Sequence, residues 1–355
     1  MKKILIVLFV IFLVFLFGYI GLFPFTPEFK NSKGRVLSRS IASLEIKELG
    51  NLEQWILIRG QDISNPILLW LHGGPGAALM PFSHYIDKEL EKEFIVVHWD
   101  QRGAGKTNNF GADTESLKFD QFKNDTLELI QYLLKKFNKK KIFLVGHSWG
   151  AYLGIHIAKN YSDKFHAYIG IGQPVDNFRQ QQISYDWLSN KISESGKTKY
   201  KKKLQELGPP PYLKQKKYIE FINLINNVGG GYKKTRWELF LIALKAHEYN
   251  FIDYIKWWDG AKRGGGPMWD EIWSSRFNLK NKIYSLDVPI YFFNGKNDYN
   301  TSVELVEEYY EEISAPAKEL IIFEKSAHLP FIAEREKFSE ELIQIKNENY
   351  LVEKN

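Results

Sequence analysis

The sequence predicts an α/β chain: a mostly parallel, doubly wound sheet with a helical insertion, preceded by an N-terminal transmembrane helix. Three observations carry that expectation. Near-continuous apolar runs of strand length alternate with amphipathic segments through residues 41–174 and 277–355. No such run interrupts residues 175–276. The chain also begins with two lysines and then a long uncharged apolar stretch.

That opening stretch, "MKKILIVLFVIFLVFLFGYIGLF", places Lys2 and Lys3 before an apolar run from Ile4 to Phe23. As a helix it would span roughly 30 Å, the thickness of a hydrocarbon core. A cleaved signal would carry a shorter apolar region and a small-x-small cleavage site, and neither is present. Residues 4–23 are therefore read as an uncleaved, single-pass cell-membrane anchor. Its short basic start predicts an extracytoplasmic body. "PFTPEFKNSKGR" begins a juxtamembrane linker over residues 24–40, with two prolines, a glycine and several charges.

The strand candidates follow in order. "EQWILIRG" (53–60), "PILLWLHGG" (66–74), "FIVVHWDQRG" (94–103), "KIFLVGHS" (141–148) and "AYIGIGQP" (167–174) form the first part of a core. "VPIYFFNG" (288–295) and "ELIIFEKSAH" (319–328) belong to the second. Runs apolar on both faces fit buried parallel strands. Between them, Phe122, Leu129, Leu133 and Phe137 recur at helical spacing within residues 119–138, and residues 302–313 behave similarly.

The intervening region, residues 175–276, reads as a helical cap punctuated by "GPPP", "VGGG" and "RGGG". Six of the ten tryptophans fall there, which predicts a packed unit rather than a linker. The formal charge of +6 comes from scattered lysines, and "NKKKI" (138–142) reads as a solvated helix end. Nucleic acid is thus not an expected partner. The absence of cysteine excludes disulfides, thiolate metal sites and cysteine nucleophiles.

The chemistry centres on "VGHSWGAYLG" (145–154). Ser148 stands between Gly146 and Gly150, directly after a buried-strand run and directly before a helical pattern. That context suits a nucleophile elbow, whose apex serine projects above the sheet edge. The amide of Trp149, at the positive end of the helix dipole, can donate to an oxyanion. A serine hydroxyl needs a base. Of eight histidines, His328 in "EKSAHLPF" follows the last strand candidate, at the strand's carboxyl end where open α/β sheets place their sites. His147 is expected to project elsewhere from so tight a turn. Asp298 in "FFNGKNDYN" follows the preceding strand and can orient the imidazole; Asp176 is the reserve acid. Serine, aspartate and histidine then occur in the order Ser148, Asp298, His328.

Two further motifs close strand candidates. In "HGGPG" (72–76), Gly73 and Gly74 let backbone amides approach a substrate oxygen. In "HWDQRGAGKT" (98–107), Asp100 and Arg102 can form a charged pair that locks the loop. The phosphate-loop spacing is missing there, because Asp100 stands where its first glycine should be. Nucleotide binding is excluded.

With "HGGPG", "WDQRGAGKT" and "GHSWG" together, the chain resembles the α/β-hydrolase superfamily, and within it the proline iminopeptidase group. The resemblance spans residues of about 45–172 and 285–335. It implies an α/β-hydrolase fold, with Ser148 as nucleophile, Asp298 as acid, His328 as base, and Gly73, Gly74 and Trp149 around the oxyanion. It also implies a helical cap whose carboxylates hold a free amino terminus; Glu238, Glu248 and Asp253 are the candidates. Ala77 and Ala78 stand where glycines commonly continue, His147 replaces a glycine, and "GKND" replaces an arginine-containing acid loop.

The implied activity is that of a membrane-anchored serine hydrolase, an aminopeptidase acting on short peptides, proline among the residues released. It requires no metal or organic cofactor. A carboxylic ester or lipid ester hydrolase is the alternative. A non-catalytic ligand-binding scaffold is a more remote one, disfavoured by the complete triad order.

Overall fold

The computed structural model describes residues 8, 9, 12 and 23–350, except 113, 197, 264, 265, 267, 274 and 275. The expected transmembrane helix at 4–23 lies almost wholly outside the described residues. Among the described residues, no helix is long and apolar enough to cross a membrane.

Eight strands form one sheet: β1 (Ile41–Leu49), β2 (Leu52–Gly60), β3 (Ile67–Leu71), β4 (Ile95–Asp100), β5 (Ile142–His147), β6 (Phe165–Ile171), β7 (Ile290–Gly295) and β8 (Lys318–Phe323). Their order is β1-β2-β4-β3-β5-β6-β7-β8. β2 pairs antiparallel with both β1 and β4, whereas every pairing from β4 through β8 is parallel.

The strands β3, β4, β5, β6 and β7 are buried at every position, which is why their sequences read as unbroken apolar runs. β1 escapes that reading. It is an edge strand with half-buried and exposed positions, so "IASLEIKEL" carries charges along it. Gly50 and Asn51, both at positive φ (54° and 59°), turn it directly into β2.

Both faces of the sheet are covered. Leu69, Leu71 and Leu144 point into one buried cluster, while their neighbours Leu68, Trp70, Phe143 and Val145 point into another. This alternation is the period-2 geometry of a strand with apolar cover on each side. The covering helices include α1 (Phe119–Phe137), which buries Phe122, Leu129 and Leu133, and α2 (Trp149–Asn160). Phe137, expected in the same stripe, is only partly buried against the core.

Between β6 and β7 the chain forms α3 (Asn177–Ser195), α4 (Thr198–Leu207), α5 (Gln215–Asn227), α6 (Arg236–Ala243) and α7 (Phe251–Arg263). α3, α4 and α5 share their own small cluster around Leu188, Ile192, Leu204 and Phe221. After β7 comes α8 (Val303–Glu312), and after β8 comes α9 (Arg335–Tyr350). Because β3 and β5 through β8 run the same way, the loops leaving them gather at one sheet edge. Ser148, Asp298 and His328 lie on three of those loops.

Candidate active site

Ser148 joins β5 to α2 with φ 55° and ψ −115°, a region that L side chains rarely adopt. Its amide is pinned to the end of β6, donating to the Ile171 carbonyl at 2.8 Å. The flanking glycines are there for room. A Cβ on Gly150 would stand 2.7 Å from the His72 carbonyl oxygen, and one on Gly146 would stand 2.7 Å from the Ala151 Cα. The backbone strain thus falls on Ser148 itself, while its neighbours let α2 crowd against β3. Among the described residues, the Ser148 hydroxyl makes no hydrogen bond.

His328 lies on the loop after β8. Its Nδ1 donates to Asp298 Oδ2 at 2.7 Å. Asp298 is 2% exposed and fully engaged. Oδ1 accepts the amides of Asn300 and Thr301, and Oδ2 also accepts the Thr301 hydroxyl. With Nδ1 committed, the His328 tautomer leaves Nε2 as the acceptor, and Nε2 has no partner among the described residues. The end of β6 brings this imidazole to the serine's edge: a Cβ on Gly172 would stand 3.1 Å from His328 Cε1.

His147 does not project away from the site, as its position in a tight turn had suggested. Its ring packs 4.7 Å from that of His328, and its Nε2 donates to the His328 carbonyl at 2.9 Å. Burial, and then the adjacent His328, hold its pKa well below 6.5, so it stays a neutral donor.

Gly73 closes the other side. A side-chain carbon there would stand 2.9 Å from His147 Nδ1 and 3.2 Å from Ser148 Cβ, so only glycine fits over the serine. Gly74 follows at φ 117°. The Trp149 amide belongs to the first turn of α2, where helix geometry offers it no acceptor.

A buried chain of polar contacts joins the three motifs. His72 Nδ1 donates to the Gly73 carbonyl at 2.8 Å, and His72 Nε2 accepts the Gln101 amide at 3.2 Å. The Gln101 side chain in turn accepts the Trp149 indole N–H at 3.1 Å. Burial lowers the His72 pKa to about 4, which keeps the ring neutral and this donor pattern intact. Neither His72 nor Gln101 was singled out in the sequence for this role. Their presence in the two glycine motifs was the available signal.

Several other expectations need correction. Asp100 and Arg102 do not pair. Arg102 makes a two-pronged contact with Asp125 of α1 (2.6 and 2.9 Å), while Asp100 takes the Tyr249 hydroxyl and the Lys106 amide. Asp176 caps α3, accepting the amides of Phe178 and Arg179.

The three cap carboxylates named as candidates for a free amino terminus sit in different settings. Glu238 is exposed and closes a capping box with Thr235 at the start of α6. Asp253 is ion-paired with buried Lys106 at 2.5 Å. Glu248 is buried with Oε2 unpartnered. None makes a hydrogen bond or ion pair with Ser148 or His328. Among the described residues, no group of three or more histidine and carboxylate side chains could hold a metal ion.

The arrangement is a strained serine, an acid-oriented imidazole with its second nitrogen free, and a glycine loop against the serine, all at the carboxyl edge of a parallel sheet. The family model described as "alpha/beta hydrolase fold" matches residues 66–334. This chain is an α/β-hydrolase.

Among curated relatives, it is 33% identical over 308 residues to a probable aminopeptidase, YbaC, of Bacillus subtilis (strain 168), covering 86% of this chain and 96% of that one. It is 27% identical to a proline iminopeptidase of Heyndrickxia coagulans over 77% of this chain and 87% of the relative. In three dimensions it resembles a proline iminopeptidase-related protein from Thermus thermophilus. The TM-score is 0.59 at 18% identity, over 87% of this chain and 98% of that one. At that identity the likeness speaks for the fold. The α/β-hydrolase assignment and the resemblance to proline iminopeptidases, first read from three short motifs, are thereby established.

Proposed function

We propose that the protein is a serine hydrolase that works as an aminopeptidase, releasing the N-terminal residue, proline included, from short peptides. The observation that carries the reading is the Asp298–His328 pair at 2.7 Å with Nε2 left free at the edge that holds Ser148. The names of the relatives, a probable aminopeptidase and a proline iminopeptidase, support the substrate class.

In this reading Ser148 Oγ attacks the acyl carbon as His328 Nε2 takes its proton. Asp298, already holding Nδ1–H, stabilises the imidazolium. The amides of Trp149 and of the Gly73–Gly74 segment receive the developing oxyanion. The imidazolium protonates the leaving amine. His328 then activates water to release the acyl group and regenerate the serine. Residues 175–276 act as the cap over this site, between core parts at 41–174 and 277–355. The apolar run at 4–23 holds the body at the cell membrane, on its extracytoplasmic side; the support for this is the length of the run and its basic start.

A fluorophosphonate probe should label the protein, and Ser148→Ala should abolish labelling. Equal labelling of the variant would rule out Ser148 as nucleophile. Proline and alanine arylamides compared with short-chain aryl esters test the substrate class. Ester turnover without arylamide turnover would replace the aminopeptidase reading with the esterase one.

A further inference from the structure

Helix α7 is amphipathic in the wrong sense for a helix that faces water. Its inner face carries the polar and close contacts. Asp253 binds Lys106, Trp257 Nε1 donates to the Ala78 carbonyl at 2.9 Å, and a Cβ on Gly260 would stand 2.7 Å from the Gly103 carbonyl oxygen. Its outer face is apolar: Phe251, Ile252, Ile255 and Trp258 are 41%, 58%, 45% and 64% exposed. They are the exposed positions of the helix from 251 to 258, and each is a large hydrophobe. The neighbouring α6 adds Trp237 (65%) and Leu241 (42%), one turn apart. Single exposed hydrophobes are ordinary, but large ones on successive turns of two helices mark an interaction surface.

The path of the chain says which surface. The apolar run ends at Phe23, and two residues later the Phe25 amide donates to the His247 carbonyl at 3.1 Å, with the two rings 5.1 Å apart. His247 stands four residues before Phe251, so the exit of the apolar run is fastened beside the first turn of α7. Phe23 and Phe25 are themselves 84% and 56% exposed. Exposed Arg236, Lys245 and Lys262 lie on or between these helices, with Glu238 as the acidic exception held in its capping box. Tryptophans and isoleucines bordered by basic residues suit the headgroup region of an anionic bilayer.

We propose that the outer face of α6 and α7 docks on the lipid bilayer surface, laying the body of the protein on the membrane beside its N-terminal run. The proposal is independent of the hydrolase reading. Its choice of the bilayer as occupant rests in part on the anchor reading, through the place where the apolar run meets the body.

The test uses the full-length protein in mixed phosphatidylcholine–phosphatidylglycerol vesicles with acyl chains brominated near the headgroup. The first tryptophan of the chain is Trp55, so the apolar run contributes no signal. Trp237 and Trp258 are the exposed tryptophans among the described residues. Brominated lipid should quench the parent protein, and Trp237→Phe with Trp258→Phe should lose most of that quenching while still floating with the vesicles. Equal quenching in parent and double variant would overturn the proposal. So would an unquenched parent, as expected if a second copy or the chain's own N-terminal run covered the face. If alkaline washing strips the parent from the vesicles, the anchor reading fails by itself. The docking proposal then requires neutral-pH flotation of the parent to exceed that of Trp237→Ser with Trp258→Ser several-fold, and equal flotation overturns it.

Discussion

His147 Nε2 donates to the main-chain carbonyl of His328 across 2.9 Å, so the residue before Ser148 holds the loop that carries His328. A neutral imidazole can do this at any physiological pH, because burial keeps its pKa well below 6.5.

His147→Ala should therefore lower kcat about tenfold, the worth of one buried hydrogen bond of roughly 1–1.5 kcal/mol, with little change in KM. His147→Gln, which can donate to the same carbonyl, should recover part of the loss. Steady-state kinetics on both variants decide the matter. A change confined to KM, or no rescue by glutamine, would leave His147 a packing residue.

Asp298→Asn presents an amide N–H where the carboxylate now accepts the Nδ1 proton, which favours the other tautomer of His328. The expected fall in kcat is on the order of 10³–10⁴ with the fold intact. Circular dichroism and kcat measured together check this. A loss under tenfold would show that another group orients the imidazole.

Gly73→Ala places a carbon 3.2 Å from Ser148 Cβ and 2.9 Å from His147 Nδ1. Something must shift, and what shifts is the turn that sets the serine. Fluorophosphonate labelling should slow by at least about tenfold, consistent with the sensitivity of such sites to small displacements. Labelling at the parent rate would mean that the Gly73 loop can recede without disturbing Ser148.

Lys106 is buried over the Trp55 ring at 4.3 Å, with Asp253 as its carboxylate partner. Asp253→Ala strands that ammonium and should cost about 3 kcal/mol or more in chemical denaturation. Lys106→Met together with Asp253→Leu should recover most of the loss, because neither buried charge remains. A double variant as unstable as the single would contradict this account.

Burial raises the Asp100 pKa from 3.8 to about 7, against the lowering effect of its hydrogen bonds from Tyr249 and the Lys106 amide. Between those values the folded state binds more protons at this site than the unfolded state does. The linkage slope is thus negative, and stability falls as pH rises from about 4 to about 7. Asp100→Asn keeps an acceptor oxygen and removes the proton, so its stability should decline less than the parent's from pH 5 to pH 7.5. Parallel declines in urea titrations would show that Asp100 is ionised throughout.

What could be read from the chain alone was the material that depends on near neighbours. Buried parallel strands are apolar at every position, so β3, β5 and β7 announced themselves. A serine between glycines at a strand–helix junction marks its own turn, and the acid and base each follow a strand of the same sheet. β1 was missed because an edge strand is only half covered and tolerates charges. The partners of Arg102 and Asp100 were misjudged for a different reason. Two charged residues in one loop look like a pair until α1 offers Asp125 and the cap offers Tyr249.

Periodicity, glycine placement and strand-end chemistry are local properties, and they were enough to predict a doubly wound α/β sheet and to nominate Ser148, Asp298 and His328, while the α/β-hydrolase reading came from the resemblance of three short motifs. Tertiary packing alone decided that His147 would support a residue 181 positions away, that Lys106 would find Asp253 across 147 positions, and that α7 would turn its apolar side outward. The difference is physical. Backbone preference and burial period are set within a few residues, whereas the partner of a buried polar group is whichever complementary group the completed fold brings within hydrogen-bonding distance.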